Sequence, residues 1–483
     1  MKVLLINPPL HGMYKSAKVI IPPIGLLYVA SYLRSHGHDV KVIDRTTMDG
    51  MIDYSQADIV GITSMTLNFL EALKYAREAK ESGKLVMMGG VHVSCSPSEA
   101  LLTKNADFVI RGEGEETALN LINALDIEKK NFHPEKIEGI SWYDKSSRKV
   151  VHNPDRAAIA DLDTLPYPAR DMLDISYYKQ TTLHKTKPAI TLLTSRGCPY
   201  KCNFCVVPKI NSRQWRERNI TNVADEIETL QKQFGFEAII FVDDILTLNP
   251  QRTMEMCKEF IRRGFDIAWW CQSRADALVK NEEMTELMAQ SGCVTCFLGL
   301  ESGNEKTLQA FNKRSTTDTG VQAVRIMNKH GIGAYGAFII GADDETKDDI
   351  NTTIEYARTI GLNTAQFSLL TPYPGTTIFR ELKNKLVTFN WDLYDGTHSL
   401  FNTRHLTIRE LNKLLNKAYR RFYLRSSYLL DSVKRLPYST MFSLLKYVNE
   451  SRKRSINDLY KPMPNPVMDD IDTMCLESET MNS

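Results

Sequence analysis

The sequence predicts an α/β protein in which a Rossmann-like, doubly wound domain is followed by a partial (β/α)6 barrel and a C-terminal helical region. Two separate runs of alternating apolar strands and amphipathic helices predict the two α/β units, because such alternation is typical of parallel sheets. A helical pattern after about residue 400 predicts the third region. The chain of 483 residues also exceeds the ~250–300 residues at which a single core stops growing, so we expect several domains.

Short apolar segments alternate with helical segments through the first quarter of the chain. We predict strands and helices over residues 2–9, 25–37, 40–44, 57–65, 69–82, 84–90 and 106–112. Sheets of this kind bind ligands beyond the carboxyl ends of their strands, which here are rich in glycine and small polar residues. We therefore assign residues 1–130 to a ligand-binding domain. Residues 131–188 are weakly periodic and contain Pro, Asp and Tyr, so we assign them to a linker.

A second alternation begins near residue 189. We predict six strands over residues 189–195, 237–244, 266–273, 293–301, 333–341 and 365–372. Six βα units over residues 189–390 fit an incomplete α/β barrel, with its active groups at the carboxyl ends of the strands. We expect a helical domain over residues 391–460 and a tail over residues 461–483. The apolar residues at helical spacing in that domain are Leu411, Leu414, Leu415, Ala418 and Phe422.

Composition and charge indicate a globular protein of the cytoplasm. The chain is 43% hydrophobic and 24% charged, and its nine cysteines show no regular disulfide framework. Met1 runs directly into an apolar strand without a signal-peptide pattern, and no apolar run approaches the ~18 residues that span a bilayer. Residues 404–454 hold 13 basic and 3 acidic side chains. We expect this segment to be a helical lid, with peripheral membrane contact as the alternative and nucleic acid disfavoured.

Three cysteines stand close together in the stretch TSRGCPYKCNFCVVP, directly after a predicted strand. Cys198, Cys202 and Cys205 therefore occupy the first loop of the barrel. Thiolate-rich sites select zinc or iron–sulfur clusters, and the missing fourth cysteine would leave one metal position open. The alternatives are buried core thiols or a structural zinc completed by a distant histidine. Cys293 and Cys296 also form a CxxC, but an offset of three along a strand predicts opposite faces and favours core packing.

The triplet, with the aromatic Phe204 before its last cysteine, resembles the motif of the radical S-adenosylmethionine (radical SAM) superfamily. GGVHVS, GEGEET and DLDTLPYPARDML resemble the branch with a cobalamin-binding domain before the barrel. That branch includes class B-type methyltransferases and the anaerobic magnesium-protoporphyrin monomethyl ester cyclase. The resemblance covers about residues 1–400. It implies a [4Fe–4S] cluster on the three cysteines, S-adenosylmethionine bound to the cluster, and an electron donor such as flavodoxin or ferredoxin.

The resemblance also implies which residues contact S-adenosylmethionine. Asp243 and Asp244 stand where the family places groups that face the methionine amine, although such a pair can also form a helix N-cap or a turn. The other candidates, for carboxylate, ribose and adenine contacts, are Phe204, Arg274, Glu301, Ser302 and Gly341.

A corrinoid is expected in the first domain, without a histidine ligand on cobalt. The DxHxxG motif of the methionine synthase type is missing, since Asp44-Arg45-Thr46 is not followed by a histidine at the required place. The GxGxxG motif of dinucleotide sites is missing too. The candidate cobalamin contacts are Ser64, Thr66, Gly89, Gly90, His92, Gly112 and Glu113. His92 has an alternative role, which is to close the turn that contains it.

The function implied by the resemblance is transfer of a methyl group from methylcobalamin to an unactivated carbon, started by a 5′-deoxyadenosyl radical. Oxidative cyclisation or rearrangement by the same architecture is the first alternative. A non-catalytic iron–sulfur protein is an alternative of another class. The substrate is expected to be a small molecule or lipid-like, and the sequence assigns no catalytic residue beyond the cofactor contacts.

Overall fold

The computed structural model describes residues 1–9, 20–128, 131–183, 187–210 and 213–425. The predicted tail over 461–483 and the basic segment beyond residue 425 lie outside the described residues. Within the described ranges, no helix combines the length and the apolar character that crossing a membrane requires.

The first sheet has five parallel strands in the order β2-β1-β3-β4-β5, which confirms the Rossmann-like class. The strands are β1 (Lys2–Asn7), β2 (Asp39–Asp44), β3 (Ile59–Thr63), β4 (Leu85–Gly89) and β5 (Phe108–Ile110). The helices are α1 (Ile24–Ser35), α2 (Phe69–Glu81), α3 (Val91–Cys95), α4 (Pro97–Leu102) and α5 (Glu115–Glu128). Alternate side chains of β1 enter two cores: Leu5 packs with α1 and α5, and Leu4 packs with α2. The sheet is therefore covered on both faces.

Two further strands extend this sheet beyond residue 130. β6 (Ile140–Asp144) pairs with β5 in antiparallel orientation, and β7 (Lys149–His152) pairs with β6. They lie within residues 131–188, for which we expected a linker, so the structure differs from that expectation. A hairpin with two short strands gives only a weak period-two pattern, whereas the pairing depends on contacts such as the Arg111 N–H to Gly139 O bond of 2.8 Å.

Six parallel strands form the second sheet, which confirms the partial barrel. In sheet order they are β16 (Thr364–Leu369), β15 (Gly333–Ile340), β14 (Cys293–Glu301), β13 (Ala268–Ser273), β12 (Ala238–Phe241) and β9 (Lys187–Leu192), and the antiparallel β8 (Thr182–Leu183) follows β9. Separately, β10 (Ser195–Arg196) pairs with β11 (Arg216–Glu217). The helices are α6 (Val207–Ile210), α7 (Ile220–Phe234), α8 (Pro250–Arg262), α9 (Ala275–Lys280), α10 (Glu282–Gln290), α11 (Glu305–Ala310), α12 (Thr317–Lys329), α13 (Lys347–Thr359), α14 (Thr377–Leu382) and α15 (Ile408–Tyr423).

The CxxC of β14 is part of the core, as expected, but its two thiols do not lie on opposite faces. The pairing of β13 with β14 shifts between Trp269 and Trp270, so that Cys293 pairs with Trp269 and Cys296 with Cys271. Trp269 and Cys271 share one face, and the irregularity brings both cysteines of β14 to that face. The sulfur atoms of Cys271 and Cys296 are 3.7 Å apart and buried.

Helix α15 covers the outer edge of β16. The five apolar residues predicted to share a face of this helix are all buried, as are Tyr419 and Tyr423. The Tyr419 hydroxyl donates to Phe367 O at 2.9 Å, and the Tyr423 hydroxyl donates to Ala365 O at 2.7 Å. These bonds satisfy backbone groups on the outer side of β16, where no strand of the described residues pairs with it, and so protect the edge.

A buried ion triad joins the connecting segment to the barrel. Glu226 on α7 accepts from Arg170 at 2.6 Å and from Arg218 at 2.5 Å, and all three side chains are almost fully buried. Burial alone would raise the pKa of Glu226, but the two guanidinium groups outweigh it and hold that pKa below its usual range. The triad is therefore stable only while all three charges are present.

We expect Glu226→Ala to lower the free energy of unfolding by about 3–5 kcal/mol, because it leaves two arginines buried without a counter-charge. Denaturant unfolding of the cofactor-free protein measures this. The control is Glu228→Ala on the same helix, which removes an exposed pair with Lys232 and a partly buried pair with Arg263, whose guanidinium keeps Asp225 and Glu259 as partners, and should change stability little. Equal losses in the two variants would contradict the role given to the triad.

Candidate active site

The cysteine loop leaves β10 through Gly197, whose φ of 95° favours glycine, and ends at α6. Its backbone is held by the neighbouring loop after α11. The Asn203 N–H donates to Phe311 O at 3.1 Å, and the Asn312 side chain donates to Lys201 O at 2.7 Å. Inside the loop, the Cys205 N–H donates to Cys202 O at 3.1 Å. These bonds hold the backbone of the loop in place.

The three thiols of the loop are the type of ligand that an iron–sulfur cluster requires. All are free and partly exposed, and burial raises their pKa values, that of Cys205 to about 12. Among the described residues, no three His, Cys, Asp or Glu side chains meet closely enough to hold one ion. Each cysteine of a cluster binds a different iron atom, so its sulfur atoms stand further apart than the ligands of one ion. Three thiols without a fourth leave one iron for another ligand.

Asp243 is a structural residue of the site. It is completely buried, and its carboxylate accepts from Thr194 Oγ1 at 2.7 Å and from Ser195 Oγ at 2.5 Å. The Thr194 N–H donates to both of its oxygens at 3.1 Å. We expected this side chain to face S-adenosylmethionine, but the structure uses it to hold the chain between β9 and β10.

Asp244 lies beside the cysteine loop. It is half-buried, and one oxygen accepts from the Gly197 N–H at 3.0 Å, one residue before Cys198. Burial raises the pKa of Asp244 to about 6, with a further rise from the neighbouring Asp243. Of the aspartate pair, only Asp244 stays a candidate for the methionine amine.

Arg274 contacts the cysteine loop through the ring of Tyr200, and Phe204 is itself a residue of that loop. The Arg274 guanidinium lies 3.8 Å from the centre of the Tyr200 ring and donates to Asp276 at 2.9 Å. Phe204 packs edge-on against Phe311, with ring centres 5.4 Å apart. Arg274 therefore adjoins the cysteine loop and Phe204 belongs to it, and the contacts of both to S-adenosylmethionine stay a prediction.

Glu301 and Ser302 end β14 but have different surroundings. Glu301 has a φ of 62°, which is unusual for a residue other than glycine, and accepts from Lys313 at 2.8 Å. Such a strained residue at a strand end is typical of a functional site. The Ser302 hydroxyl instead contacts Thr353 on α13 at 3.0 Å and accepts from the Asn304 N–H at 3.1 Å. Ser302 therefore ties the strand end to a helix, which differs from the expected cofactor contact.

Gly341 ends β15 in a turn held by Glu345. The Gly341 N–H donates to Glu345 at 2.6 Å and the Ala342 N–H donates at 2.9 Å, while φ at Gly341 is 89°. Burial raises the pKa of Glu345 to about 7, although these N–H groups favour the carboxylate. The turn leaves the Gly341 backbone at the carboxyl edge of the barrel, where an adenine contact was predicted.

A cavity of about 480 Å³ opens at the carboxyl ends of β1, β3, β4 and β5 in the first domain. Most of its walls are apolar, from residues such as Leu5, Ile62, Met87, Ile110 and Val29. The predicted residues that line it are Ser64, Gly89, Gly90, Gly112 and Glu113. Pockets that hold large cofactors have this form, with apolar walls and a few polar groups.

At two positions beside this cavity the neighbouring atoms leave room only for glycine. A Cβ on Gly90 would lie 2.4 Å from Ser64 O, and one on Gly61 would lie 2.6 Å from the side chain of Leu5. Gly90 also has a φ of 99°. The backbone of β3 and of the turn after β4 can approach each other only because Gly90 has no side chain.

Thr66 and His92 are not among the residues that line the cavity, and their contact with cobalamin stays a prediction. His92 is buried, with Nδ1 3.2 Å from Thr66 Oγ1 and Nε2 3.3 Å from Glu99. Its ring packs against Phe69 at 4.1 Å and Trp391 at 5.0 Å between ring centres. His92 therefore closes the turn from behind, since residues of a helical turn after a strand end can face either the cavity or the core.

Glu113 connects the first domain to the cysteine loop rather than lining the cavity alone. It accepts from Arg196 at 2.9 Å and from Arg216 at 2.8 Å. Arg196 donates a second bond, to Glu115 at 2.7 Å, and its guanidinium lies 5.0 Å from the centre of the Tyr28 ring. Burial alone would raise the pKa of Glu113, but the two arginines hold it below its usual range. Arg196 also lines the cavity and precedes Cys198 by two residues.

Among the described residues that line the cavity there is no histidine, and the expectation of a corrinoid without a histidine ligand on cobalt stays a prediction. Asp44, where that motif would begin, is buried and accepts from the Tyr178 hydroxyl at 2.6 Å and from the Asn7 amide at 2.8 Å. The apolar walls and the glycine cradle fit a corrinoid. Residues that the sequence did not single out here are Met65 and Asn68, which also line the cavity.

Comparison with known proteins agrees with both sites. Residues 10–122 match the B12 binding domain and residues 192–357 match the radical SAM superfamily. An uncharacterized methyltransferase of Pyrococcus horikoshii is 35% identical over 446 residues, covering 90% of this chain and 95% of its own. The bacteriochlorophyllide d C-12(1)-methyltransferase of Chlorobaculum tepidum is 30% identical and covers 95% of both chains. The anaerobic magnesium-protoporphyrin IX monomethyl ester cyclase of Rubrivivax gelatinosus is 29% identical and covers 89% and 78%.

Among solved structures, the cobalamin-dependent S-adenosylmethionine radical enzyme OxsB has a TM-score of 0.67 at 18% identity. The match covers 99% of this chain and 79% of that one, and shows a common fold. A B12-binding domain joined to a radical SAM barrel defines a class of enzymes. The chain belongs to this cobalamin-binding radical SAM family, which confirms the expected cofactors: a [4Fe–4S] cluster, S-adenosylmethionine and cobalamin. The alternative of a non-catalytic iron–sulfur protein is not supported.

We expect Gly90→Ala to abolish retention of cobalamin, because a Cβ at this position would displace the Ser64 backbone that borders the cavity. Visible absorbance after desalting measures the bound corrinoid. Gly83→Ala is the matched control: its φ is 73°, so an alanine is strained there too, but it meets nothing within 4 Å. Loss of cobalamin in both variants would mean that strain, not the cavity, is responsible.

The raised pKa of Glu345 predicts a pH-dependent stability. Between pH 4.5 and about 7 the unfolded chain ionises at this residue while the folded chain stays protonated, so stability should fall as pH rises. The loss should reach about 3 kcal/mol above pH 7. Glu345→Gln should remove this loss, so its stability relative to the wild type should improve between pH 5 and pH 8. Parallel pH profiles in denaturant unfolding would disprove the assignment.

Proposed function

We propose that this enzyme transfers a methyl group from methylcobalamin to an unactivated carbon of an apolar small molecule. The observation that carries the proposal is the position of Arg196. This residue borders the corrinoid cavity and leads, through Gly197, into the cysteine loop. The methyl donor and the radical source would therefore lie on either side of one short segment.

The described residues supply binding, orientation and exclusion of water. Cys198, Cys202 and Cys205 would hold the cluster, and Asp244 would orient the methionine amine through its free oxygen. When bound, the cluster supplies the electron that cleaves S-adenosylmethionine into methionine and a 5′-deoxyadenosyl radical, and the corrinoid supplies the methyl group. The two domains are joined by buried ion pairs at the Glu113 and Glu115 side chains, which exclude water from the boundary between the sites.

The interior of the barrel favours an apolar substrate with rings. Trp270, Phe297 and Tyr335 follow one another across neighbouring strands, with ring centres 5.9 Å and 4.9 Å apart. They are half-buried, whereas the alternate residues of these strands are buried under the helices. A layer of aromatic rings of this kind binds flat apolar surfaces. Lipid-like or polycyclic substrates agree with the bacteriochlorophyllide methyltransferase among the relatives.

Oxidative ring formation is the second candidate, because the magnesium-protoporphyrin cyclase is similar over most of both chains. The two reactions differ in their products. A methyltransferase gives a substrate heavier by one methylene and releases S-adenosylhomocysteine, whereas a cyclase gives neither.

The electron donor, the location and the contact with a membrane are further parts of the proposal. A radical SAM enzyme needs a one-electron donor, and a flavodoxin or ferredoxin of the cytoplasm fits that need. The basic side chains of α15 at Lys413, Lys417, Arg420 and Arg421 support a weaker proposal, peripheral contact with an anionic membrane. The rest of that basic segment lies outside the described residues.

We expect Cys198→Ala to abolish formation of 5′-deoxyadenosine while cobalamin is retained. The test is anaerobic reconstitution with iron, sulfide and cobalamin, followed by mass spectrometry after reduction in the presence of polycyclic lipids and porphyrins. The reverse pattern is expected for Gly90→Ala, which should keep the cluster and lose the corrinoid. If the reconstituted wild type never cleaves S-adenosylmethionine, the proposed function is wrong.

A further inference from the structure

The cysteine loop has an exposed outer edge, formed by Pro199, Lys201, Asn312 and Arg314, which we call the basic edge. Two hydrogen bonds from side chains to backbone oxygens hold its parts together. The Asn312 amide donates to Lys201 O at 2.7 Å, and the Arg274 guanidinium that covers the Tyr200 ring donates to Arg314 O at 2.6 Å. The exposed side chains therefore belong to one fixed surface beside the cluster ligands.

Positive charge dominates this edge. The segments 199–203 and 310–315 carry Lys201, Lys313 and Arg314 and contain no carboxylate. Lys313 is neutralised by Glu301 at 2.8 Å. In the described part of the chain, neither Lys201 nor Arg314 forms an ion pair, so both charges face solvent. Unpaired surface cations of this kind attract anionic partners and raise their association rate.

We propose that the basic edge is the docking surface for an acidic one-electron carrier protein, a partner that the proposed function requires. Lys201 directly precedes Cys202, so a carrier bound here would lie one residue from a cluster ligand. Electron transfer slows steeply with distance, so this short path favours the basic edge. The two residues that lead into the loop are already bonded elsewhere, Gly197 to Asp244 and Arg196 to Glu113 of the first domain. The carrier loses one electron and the cluster gains one, and no atoms are exchanged.

The test is a double charge reversal, Lys201→Glu with Arg314→Glu, in the reconstituted enzyme. Fully reduced flavodoxin, an acidic protein, is one reductant, and reduced methyl viologen, a small cation, is the other. The rate of cluster reduction is followed by electron paramagnetic resonance at low ionic strength. A matched control reverses Lys145 and Lys149, two exposed cations at the β6–β7 hairpin of the first sheet.

We expect the reversal at the basic edge to slow reduction by flavodoxin about tenfold or more, with no slowing by methyl viologen. Added salt should slow flavodoxin with the wild type and diminish the difference between the proteins. Equal slowing with both reductants, an unchanged rate with flavodoxin, or the same loss in the control variant would overturn the proposal. Because cluster reduction is measured before S-adenosylmethionine is cleaved, failure of the proposed function would be seen separately, as a reduced cluster without 5′-deoxyadenosine.

Discussion

The geometry of the whole site depends on the ion pairs of Arg196. One guanidinium binds Glu113 and Glu115 at the amino end of α5 and lies over the Tyr28 ring of α1. The same residue is the last of β10, so the chain that enters the cysteine loop is fixed to the first domain. An arginine suits this role because its planar group can bind two carboxylates at once. The distance between the two cofactor sites is therefore set by side-chain geometry as much as by the strands.

The polar residues at the strand ends around the site differ in what they bond to. The side chains of Asp243, Ser302 and His92 all form hydrogen bonds within their own domain. Asp244 follows Asp243 in the chain but accepts from Gly197 at the start of the cysteine loop. Glu301 precedes Ser302 and has a positive φ. Buried polar groups must be paired, and Glu301, which is itself buried, is paired with Lys313.

The sequence was sufficient for the positions of the strands along the chain, for the cysteine loop and for the buried face of α15, because these depend on local periodicity and spacing. It was not sufficient where a long-range contact decides the outcome. The register shift at Trp269 and Trp270 reverses the face of Cys293 relative to regular alternation. His92 follows a glycine-rich strand end like a ligand contact, and only the packing of Trp391 against it shows that it faces the core. The pairing of Arg196 with Glu113 likewise has no signal in local pattern.

Trp391, from a late part of the chain, completes the core of the first domain. Its indole N–H donates to Glu99 at 2.6 Å, although 292 residues separate the two, and the ring packs into the core beneath α2. The first domain leaves the ribosome early, but its core lacks this aromatic residue until the barrel has been translated. The core of the first domain is therefore complete only after Trp391 has been synthesised. The corrinoid cavity should reach its final rigidity only in the finished chain.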